Sequence, residues 1–378
     1  MSRRIIQFCY RLIFGDAISN HMLFLGKVFK ENGYNSIMSS KFIDKNLKER
    51  DEIIIFENLK ICSDDILIYH NSGKYEHALL FRKINCYKIL VFHNETPTVF
   101  LFDYKKSIND NDNDTKHPSL ISNAIRFNIT AFQDLKKVLP FFNTAWADSS
   151  YNSSCLKKLG FNNVSILPIP YIRKNTNIIA SSSIIKKYSD TKNILFVGRI
   201  VSNKKQIDII KAFAYYHKIV PKSRLFLVGD FMFSDDYREE FINYGKTLGL
   251  INCIHMPGKV SYEDLEAYWR SASLFLSMSE HEGFCVPVLE ALAHEVPVIA
   301  FASSAIPETL GNAGILFYEK NFTRIAEVMN AVIENPERVN ALKAAGHEQI
   351  KKYSQEKLSE IAVGLLDKAV KEVIKCNV

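Results

Sequence analysis

No two of the seven cysteines (Cys9, Cys62, Cys86, Cys155, Cys253, Cys285, Cys376) form a C-x-x-C pair, and none has a nearby histidine at zinc-ligand spacing. That argues against a zinc site and a disulfide framework, and the odd, scattered set reads as reduced, cytosolic thiols. No apolar run reaches the roughly 18 residues that a membrane-spanning helix requires, so any contact with a membrane is expected to be peripheral. The N-terminus is basic and then apolar, but Arg11 and Asp16 interrupt it and no small-residue cleavage site follows. It reads as a first strand, not a signal peptide. A G-x-G-x-x-G fingerprint is missing after that strand, which argues against an NAD-type dehydrogenase. Neither sign of charge dominates: 48 Lys and Arg against 41 Asp and Glu leave +7, a mild preference for anionic partners that does not require nucleic acid.

What the chain has is length and apolar content. Its 378 residues are 47% hydrophobic, 12% aromatic and 24% charged, the profile of an ordinary globular protein. At roughly 150 residues per domain, two domains with their own cores are expected, with a cleft between them. Short apolar runs recur at 5–10, 65–69, 88–92, 144–147 and 164–167, separated by segments of helical periodicity. Continuous apolarity marks strands covered on both faces, as in a parallel sheet flanked by helices. The pattern restarts at 193–197, 224–228, 251–255, 274–278, 297–301 and 314–317, with helical stretches such as 206–220 and 287–294 between. The fold class is therefore α/β, with two doubly wound parallel sheets.

Leu167-Pro168-Ile169-Pro170-Tyr171 and the polar stretch 173–183 read as a linker, because proline disfavours helix in the residue before it. The expected domains are 1–170 and 171–355, followed by a helix over 356–378. In that helix Leu358, Ile361, Leu365, Val370 and Val373 recur at helical spacing, so it should dock by one face. The stretch 108–115 resembles the start of a calcium loop, but Thr115 replaces the turn glycine and Ile121 the bidentate glutamate, which leaves a solvated loop.

Four segments carry chemistry. Ser279-Glu280-His281-Glu282-Gly283-Phe284-Cys285 follows an apolar strand and opens a helix with Pro287 in its first turn. Free N–H groups at such a helix start bind anions or hydroxyls, Gly283 permits close approach of a ligand, and Glu282 and Glu290 can both face a crevice at the carboxyl end of the sheet. Two carboxylates there suit a polyhydroxylated ligand; equally, spacing alone is compatible with a surface loop acid and a solvated helix residue. Gly198-Arg199-Ile200-Val201-Ser202-Asn203-Lys204-Lys205 runs from a strand into a basic loop and a helix, and Arg199 and Lys204 suit phosphate oxygens. Taken alone, a basic loop is more often a solvated surface. Gly15 stands in the turn after the first strand. His93, in His93-Asn94-Glu95-Thr96-Pro97, ends a later one, where a lone histidine is usually structural.

Together these segments resemble the retaining, nucleotide-sugar-dependent glycosyltransferases of family 4, whose fold is GT-B: two Rossmann-like domains facing a cleft, with the C-terminal helix docking back. Gly198-Arg199 to Lys204 is similar to the family's G-R-x-x-x-x-K diphosphate loop, with Lys205 where many members have glycine. Glu282 to Glu290 is similar to its E-x7-E signature, and Ile306-Pro307-Glu308-Thr309 to the usual continuation. Gly15-Asp16-Ala17, the His93 segment and Ala147-Asp148-Ser149 are weaker echoes.

The resemblance implies catalytic roles for Arg199, Lys204, Glu282 and His93, with the two cations on the departing diphosphate and His93 at the sugar. It also implies donor-binding roles for Gly15, Gly198, Gly283, Phe284, Cys285 and Glu290, the last of these at the ribose. No metal and no cofactor beyond the nucleotide-diphosphate sugar itself are implied. The acceptor would be an oligosaccharide or lipid-linked glycan at the cytoplasmic side of a bacterial membrane. Basic pairs (Arg82-Lys83, Lys105-Lys106, Lys136-Lys137, Lys157-Lys158, Arg173-Lys174) with Phe141, Phe142 and Trp146 offer a candidate face for anionic lipid; a solvated basic surface fits as well. Sugar-nucleotide epimerisation or hydrolysis on the same fold, and non-catalytic nucleotide-sugar or glycan binding, are the alternatives.

Overall fold

Each continuous apolar run becomes a parallel strand, because a strand buried on both faces has no polar side to present. The computed structural model describes residues 3–47, 52–71, 78–97, 100, 135–172, 178–231 and 235–376. The stretch 108–115 and the pairs Lys105-Lys106 and Arg173-Lys174 lie outside the described residues. Among the described residues, those up to 97, 135–170 and 353–376 form one compact unit, and residue 100 with those from 171 to 352 forms a second.

The first unit holds β1 (Arg4–Leu12), β2 (Asn35–Ile43), β3 (Ile53–Ile55), β4 (Ile66–His70), β5 (Tyr87–Phe92), β6 (Thr144–Ala147) and β7 (Val164–Ile166). They pair in the order β3-β2-β1-β4-β5-β6-β7, every pairing parallel. Two of these strands were not among the expected runs: β3 is the short apolar Ile53–Ile55 at the sheet edge, and β2 has no apolar run to announce it. β2 reads N-S-I-M-S-S-K-F-I, yet Ser36, Ser39 and Ser40 are buried. Ser40 manages this by donating its hydroxyl proton to the carbonyls of Tyr10 (3.3 Å) and Phe42 (3.0 Å), so a polar residue sits inside without an unmet hydrogen bond. The stacked and edge-on rings of Phe8, Tyr69, Phe81 and Phe142 fill the core on one face of the sheet.

The C-terminal helix Gln355–Cys376 belongs to this first unit. Its buried stripe is Leu358, Ala362, Leu366, Ala369 and Val373. That differs from the spacing expected above, since Ile361, Leu365 and Val370 are only half-buried flanks; the small Ala362 and Ala369 let the helix approach closely. The hydroxyls of Tyr34 and Tyr87 donate to Asp367 and Glu372 on the same helix.

The second unit holds β8 (Lys192–Val197), β9 (Ser223–Val228), β10 (Ile254–Gly258), β11 (Leu274–Ser277), β12 (Val298–Phe301) and β13 (Gly314–Phe317), in the parallel order β10-β9-β8-β11-β12-β13. All six match apolar runs in the sequence, except that residues 251–253 form a 3-10 turn before β10 begins. In both sheets the strand order reverses once, between β1 and β4 and between β8 and β11. Crossovers leave in opposite directions at such a point and open a crevice at the carboxyl ends of the two strands, where open α/β sheets bind ligands.

Candidate active site

In the second unit the crevice is bounded by the loop after β8 (198–205) and the loop after β11 (278–285). Gly198 and Gly229 end the neighbouring strands β8 and β9 with φ of 151° each, and the Gly198 N–H donates to Val228 O at 2.9 Å. A Cβ built on Gly229 would lie 1.8 Å from Gly198 O, so only glycine lets the two backbones cross. Asn203, buried, then ties the two loops together. Its side-chain amide donates to His281 O (2.9 Å), and its carbonyl accepts from Glu280 N (2.8 Å). Gln206 closes the first loop on itself by donating to Arg199 O at 3.0 Å.

These links bring Lys204 and Glu282, 78 residues apart in sequence, into direct ion-paired contact with both side chains largely buried. A buried pair of this kind is stable only as a pair, because removing either partner strands a charge out of water. Lys205 is left-handed (φ 49°, ψ 49°), a conformation that costs a non-glycine residue about 1 kcal/mol. This explains why glycine is the residue expected there; the lysine instead places its ammonium 3.4 Å from Glu280.

Behind the second loop lies a row of donors supplied by residues 303–309. Ser303 and Ser304 donate their hydroxyl protons to Ser279 O (2.6 Å) and Glu280 O (3.4 Å), Ala305 N donates to Glu282 O (3.3 Å), and the buried Thr309 hydroxyl donates to Phe284 O (2.5 Å). Four carbonyls of the loop are thus consumed on one side. The helix Val286–Ala293 begins with Pro287 in its first turn and has no side-chain cap. Its N-cap, Cys285, is left-handed (φ 74°) and buried; burial, and then the nearby Glu282 charge, push its thiol well above the ordinary range. Glu290 lies in the helix, half-buried, and Arg199 is exposed at the start of the first loop.

A charge network that the motifs do not announce supports the same loops. Lys320, after β13, reaches both Asp208 (2.7 Å) and Glu280 (2.6 Å), with its ammonium 4.7 Å over the Phe301 ring. Burial pushes the Asp208 carboxyl up, but hydrogen bonds and charge from Lys320 and then Lys211 outweigh this and hold it below the usual range. Lys320 has no motif neighbour in sequence, and only the sheet order brings it to the loop.

Gly15 and His93 lie in the first unit, at its own reversal point. Gly15 has φ 81°, and Asp16 caps the helix Ala17–Glu31 by accepting from Ile18 N and Ser19 N at 3.1 Å each. His93 is buried in a cluster with His21 and His70. Its Nδ1 faces Asp148 Oδ2 at 3.5 Å and its Nε2 faces His70 Nδ1 at 3.3 Å. Asp148, raised to about 6 by burial against the pull of His93 and Asn152, and His70 are thus part of the His93 surroundings, and nothing in the spacing of the sequence signals His70. Phe142 and Trp146 are buried in the core, which removes them from the expected aromatic face, whereas Phe141 is half-buried.

The buried cluster sets an acid limit on stability. Burial, and then neighbouring histidine charge, hold His21 and His70 well below their ordinary value, so below about pH 6.5 the unfolded chain takes up two protons that the folded chain refuses. Asp148 acts in the opposite sense: its contribution is present below its unfolded value and lost as pH rises through about 6. Two protons against one leave a net loss of stability as pH falls through 6 and 5, on the order of 1 kcal/mol per pH unit. Urea unfolding at pH 5, 6 and 7 is expected to show that slope, and His21→Phe to flatten it. An unchanged slope in the variant would contradict this.

Two parallel sheets, each reversing its strand order once, one of them with an uncapped helix start and a Lys–Glu pair at the reversal point, make an α/β protein of the GT-B class. Residues 178–349, all within the second unit, match the family model described as glycosyl transferases group 1. Among curated proteins, the chain is 28% identical over 167 residues to O-antigen chain mannosyltransferase B of Escherichia coli, covering 43% of this chain and 42% of that one. It is 26% identical over 133 residues to the MMP alpha-(1->4)-mannosyltransferase of Mycolicibacterium hassiacum, covering 34% and 32%. The chain spans less than half the length of the curated relatives it matches. Among solved structures, Anabaena Alr3699/HepE in complex with UDP-glucose superposes with a TM-score of 0.71 at 16% identity, covering 97% of this chain and 99% of that one. WaaG, a glycosyltransferase involved in lipopolysaccharide biosynthesis, gives 0.62 at 14%, covering 95% and 100%.

Proposed function

We propose that the protein is a retaining glycosyltransferase that moves a hexosyl or deoxyhexosyl group from a nucleotide-diphosphate sugar to a glycan or lipid-linked acceptor in bacterial surface polysaccharide synthesis. The observation that carries this reading is the Lys204–Glu282 pair at the reversal point of the second sheet, beside an uncapped helix start. A cation and a carboxylate side by side match a ligand that is anionic at one end and hydroxylated at the other. In this reading Lys204 and Arg199 grip the diphosphate, the backbone N–H groups of Gly283, Phe284 and Cys285 with Glu282 hold the sugar, and Glu290 accepts from the ribose. The first unit serves the acceptor side, with Gly15 assigned to donor binding and His93 to the transferred sugar.

Breaking the bond between the anomeric carbon and phosphate leaves a cation-like sugar and a diphosphate carrying added negative charge. Donors aimed at the phosphate therefore gain most in the transition state. Fixed cations stabilise that charge without a divalent metal, so transfer should persist in EDTA. The relatives named as mannosyltransferases and the neighbour bound to UDP-glucose support a nucleotide-sugar donor, and the names that mention O-antigen and lipopolysaccharide support a surface-glycan acceptor.

The test is incubation with a panel of nucleoside-diphosphate sugars, first without and then with oligosaccharide or lipid-linked acceptors, with products read by mass spectrometry. Transfer only when acceptor is present supports the proposal. Altered sugar or free sugar without acceptor would make the protein an epimerase or hydrolase, and tight donor binding without turnover would make it a binding protein.

A further inference from the structure

The buried histidine cluster of the first unit sits at the carboxyl ends of the adjacent strands β4, β5 and β6, beside the reversal point. His70 is the last residue of β4, while His93 and Asp148 directly follow β5 and β6. Gln7 lies within β1, and His21 on the helix that follows it. All five side chains are essentially out of solvent. Four of them form a file: Asp148 Oδ2 to His93 Nδ1 (3.5 Å), His93 Nε2 to His70 Nδ1 (3.3 Å), and His70 Nε2 to the Gln7 amide (2.9 Å). Asn152 braces the head of the file, its amide donating to Asp148 Oδ1 and to the backbone carbonyl of His93 (3.1 Å). Among the described residues no group of three His, Cys, Asp or Glu is placed to hold a metal ion, so hydrogen bonding is what organises the file.

One direction of protons leaves fewer buried groups unpaired than the other. With Gln7 Oε1 facing His70, neutral His70 donates from Nε2 and accepts at Nδ1, so His93 donates from Nε2 and turns a bare Nδ1 toward a carboxylate. That arrangement leaves Gln7 Nε2 and His93 Nδ1 buried and unpaired, each at a cost of 1–3 kcal/mol by order of magnitude. Turning the Gln7 amide over, an exchange of two atoms that diffraction itself rarely distinguishes, reverses the whole file. Gln7 then donates to His70 Nε2, His70 Nδ1–H donates to His93 Nε2, and His93 Nδ1–H donates to Asp148. Gln7 Nε2 and His93 Nδ1 both gain partners, and Gln7 Oε1 takes the one position left unpaired, a net gain of one buried hydrogen bond.

We infer that Asp148, His93, His70 and Gln7 form a unidirectional hydrogen-bonded relay that locks His93 as the neutral Nδ1–H tautomer with both ring nitrogens engaged inside the protein. His70 then acts as a positioning residue for sugar transfer. The relay anchors the turn after β5, where Asn94 is held at φ 150°, a conformation that favours glycine; His93 acts by holding that turn, not by offering a ring nitrogen to the sugar. His21 packs edge-on to the His93 ring at 5.3 Å with neither of its nitrogens hydrogen-bonded; it excludes water from the relay without joining it.

The positioning role rests on the proposed transfer reaction, whereas the tautomer does not, and the experiment separates them. Ten histidines make selective 15N-imidazole labelling practical in the full-length protein, with single His→Phe variants giving the assignments. Near neutral pH, His93 and His70 should each show a protonated Nδ1 and a bare Nε2. An Nε2–H tautomer at His93, or an imidazolium there, overturns the relay whatever the activity. In the transfer assay, His70→Phe and Gln7→Leu should each lower kcat, by about tenfold or more for the former, with donor KM little changed. Wild-type kcat in a folded His70→Phe, or in Gln7→Leu should the first variant not fold, overturns the positioning role. If the native protein transfers no sugar at all, the proposed function fails while the imidazole spectra still decide the relay.

Discussion

Glu282→Gln is expected to bind a nucleoside diphosphate about three- to tenfold more tightly than the native protein while losing sugar transfer by about 100- to 1000-fold. The two effects have one cause. In the free protein the Lys204 ammonium is already occupied by Glu282, so an arriving diphosphate must share the cation with a carboxylate of its own sign. An amide of the same shape keeps the hydrogen bond from Lys204, removes the competing charge, and frees the cation for phosphate. The same change removes the carboxylate that would hold the sugar hydroxyls and offset positive charge at the anomeric carbon, which is why transfer falls as product binding rises. Lys204→Ala should lose both, since it deletes the phosphate ligand and leaves Glu282 buried without a counter-ion. Isothermal titration with UDP and GDP, alongside initial rates with the best donor, measures the split. Weaker diphosphate binding in Glu282→Gln would mean that the carboxylate does not compete for Lys204.

Gly229→Ala is expected to destabilise the second unit by about 4 kcal/mol or more, the range reserved for a backbone that cannot accommodate a side chain. The added methyl would fall 1.8 Å from Gly198 O at φ 151°. Neither atom can move alone, because Gly198 N and Gly229 N are hydrogen-bonded to Val228 O and Gly258 O. Gly33 is the control. Its φ is +81° with nothing within 4 Å of a Cβ, so Gly33→Ala should cost only about 1 kcal/mol of backbone strain. Chemical denaturation followed by circular dichroism distinguishes the two, and similar costs for both variants would show that the strand crossing tolerates a methyl group.

Legibility in the sequence followed burial pattern. The six strands of the second sheet and five of the seven in the first were readable as apolar runs because a doubly covered strand must be apolar wherever it occurs. β2 was not, since Ser40 hides its hydroxyl in backbone hydrogen bonds and a serine-rich string carries no periodic signal. The helix Gln355–Cys376 was legible as a helix, but the stripe it buries runs through Ala362 and Ala369, residues too small to register as an apolar face. Glu282 and Lys204 were legible as motif positions. Asn203, which joins their loops, was an unremarked member of one motif, while Lys320 and His70 had no motif at all.

Local pattern by itself determined that this chain builds two parallel sheets, where most of their strands lie, and which short loops carry cations and carboxylates. Those properties depend on each residue and its near neighbours, and an apolar run or a strand–glycine–helix junction means much the same wherever it stands. The tertiary structure alone decided the order of strands, and with it that a lysine and a glutamate 78 residues apart pair, that Lys320 reaches Asp208 and Glu280, and that His93 meets His70 and Asp148. Such contacts arise from which strands become neighbours at a reversal point. That choice is made by the packing of the whole sheet, so no spacing along the chain encodes it.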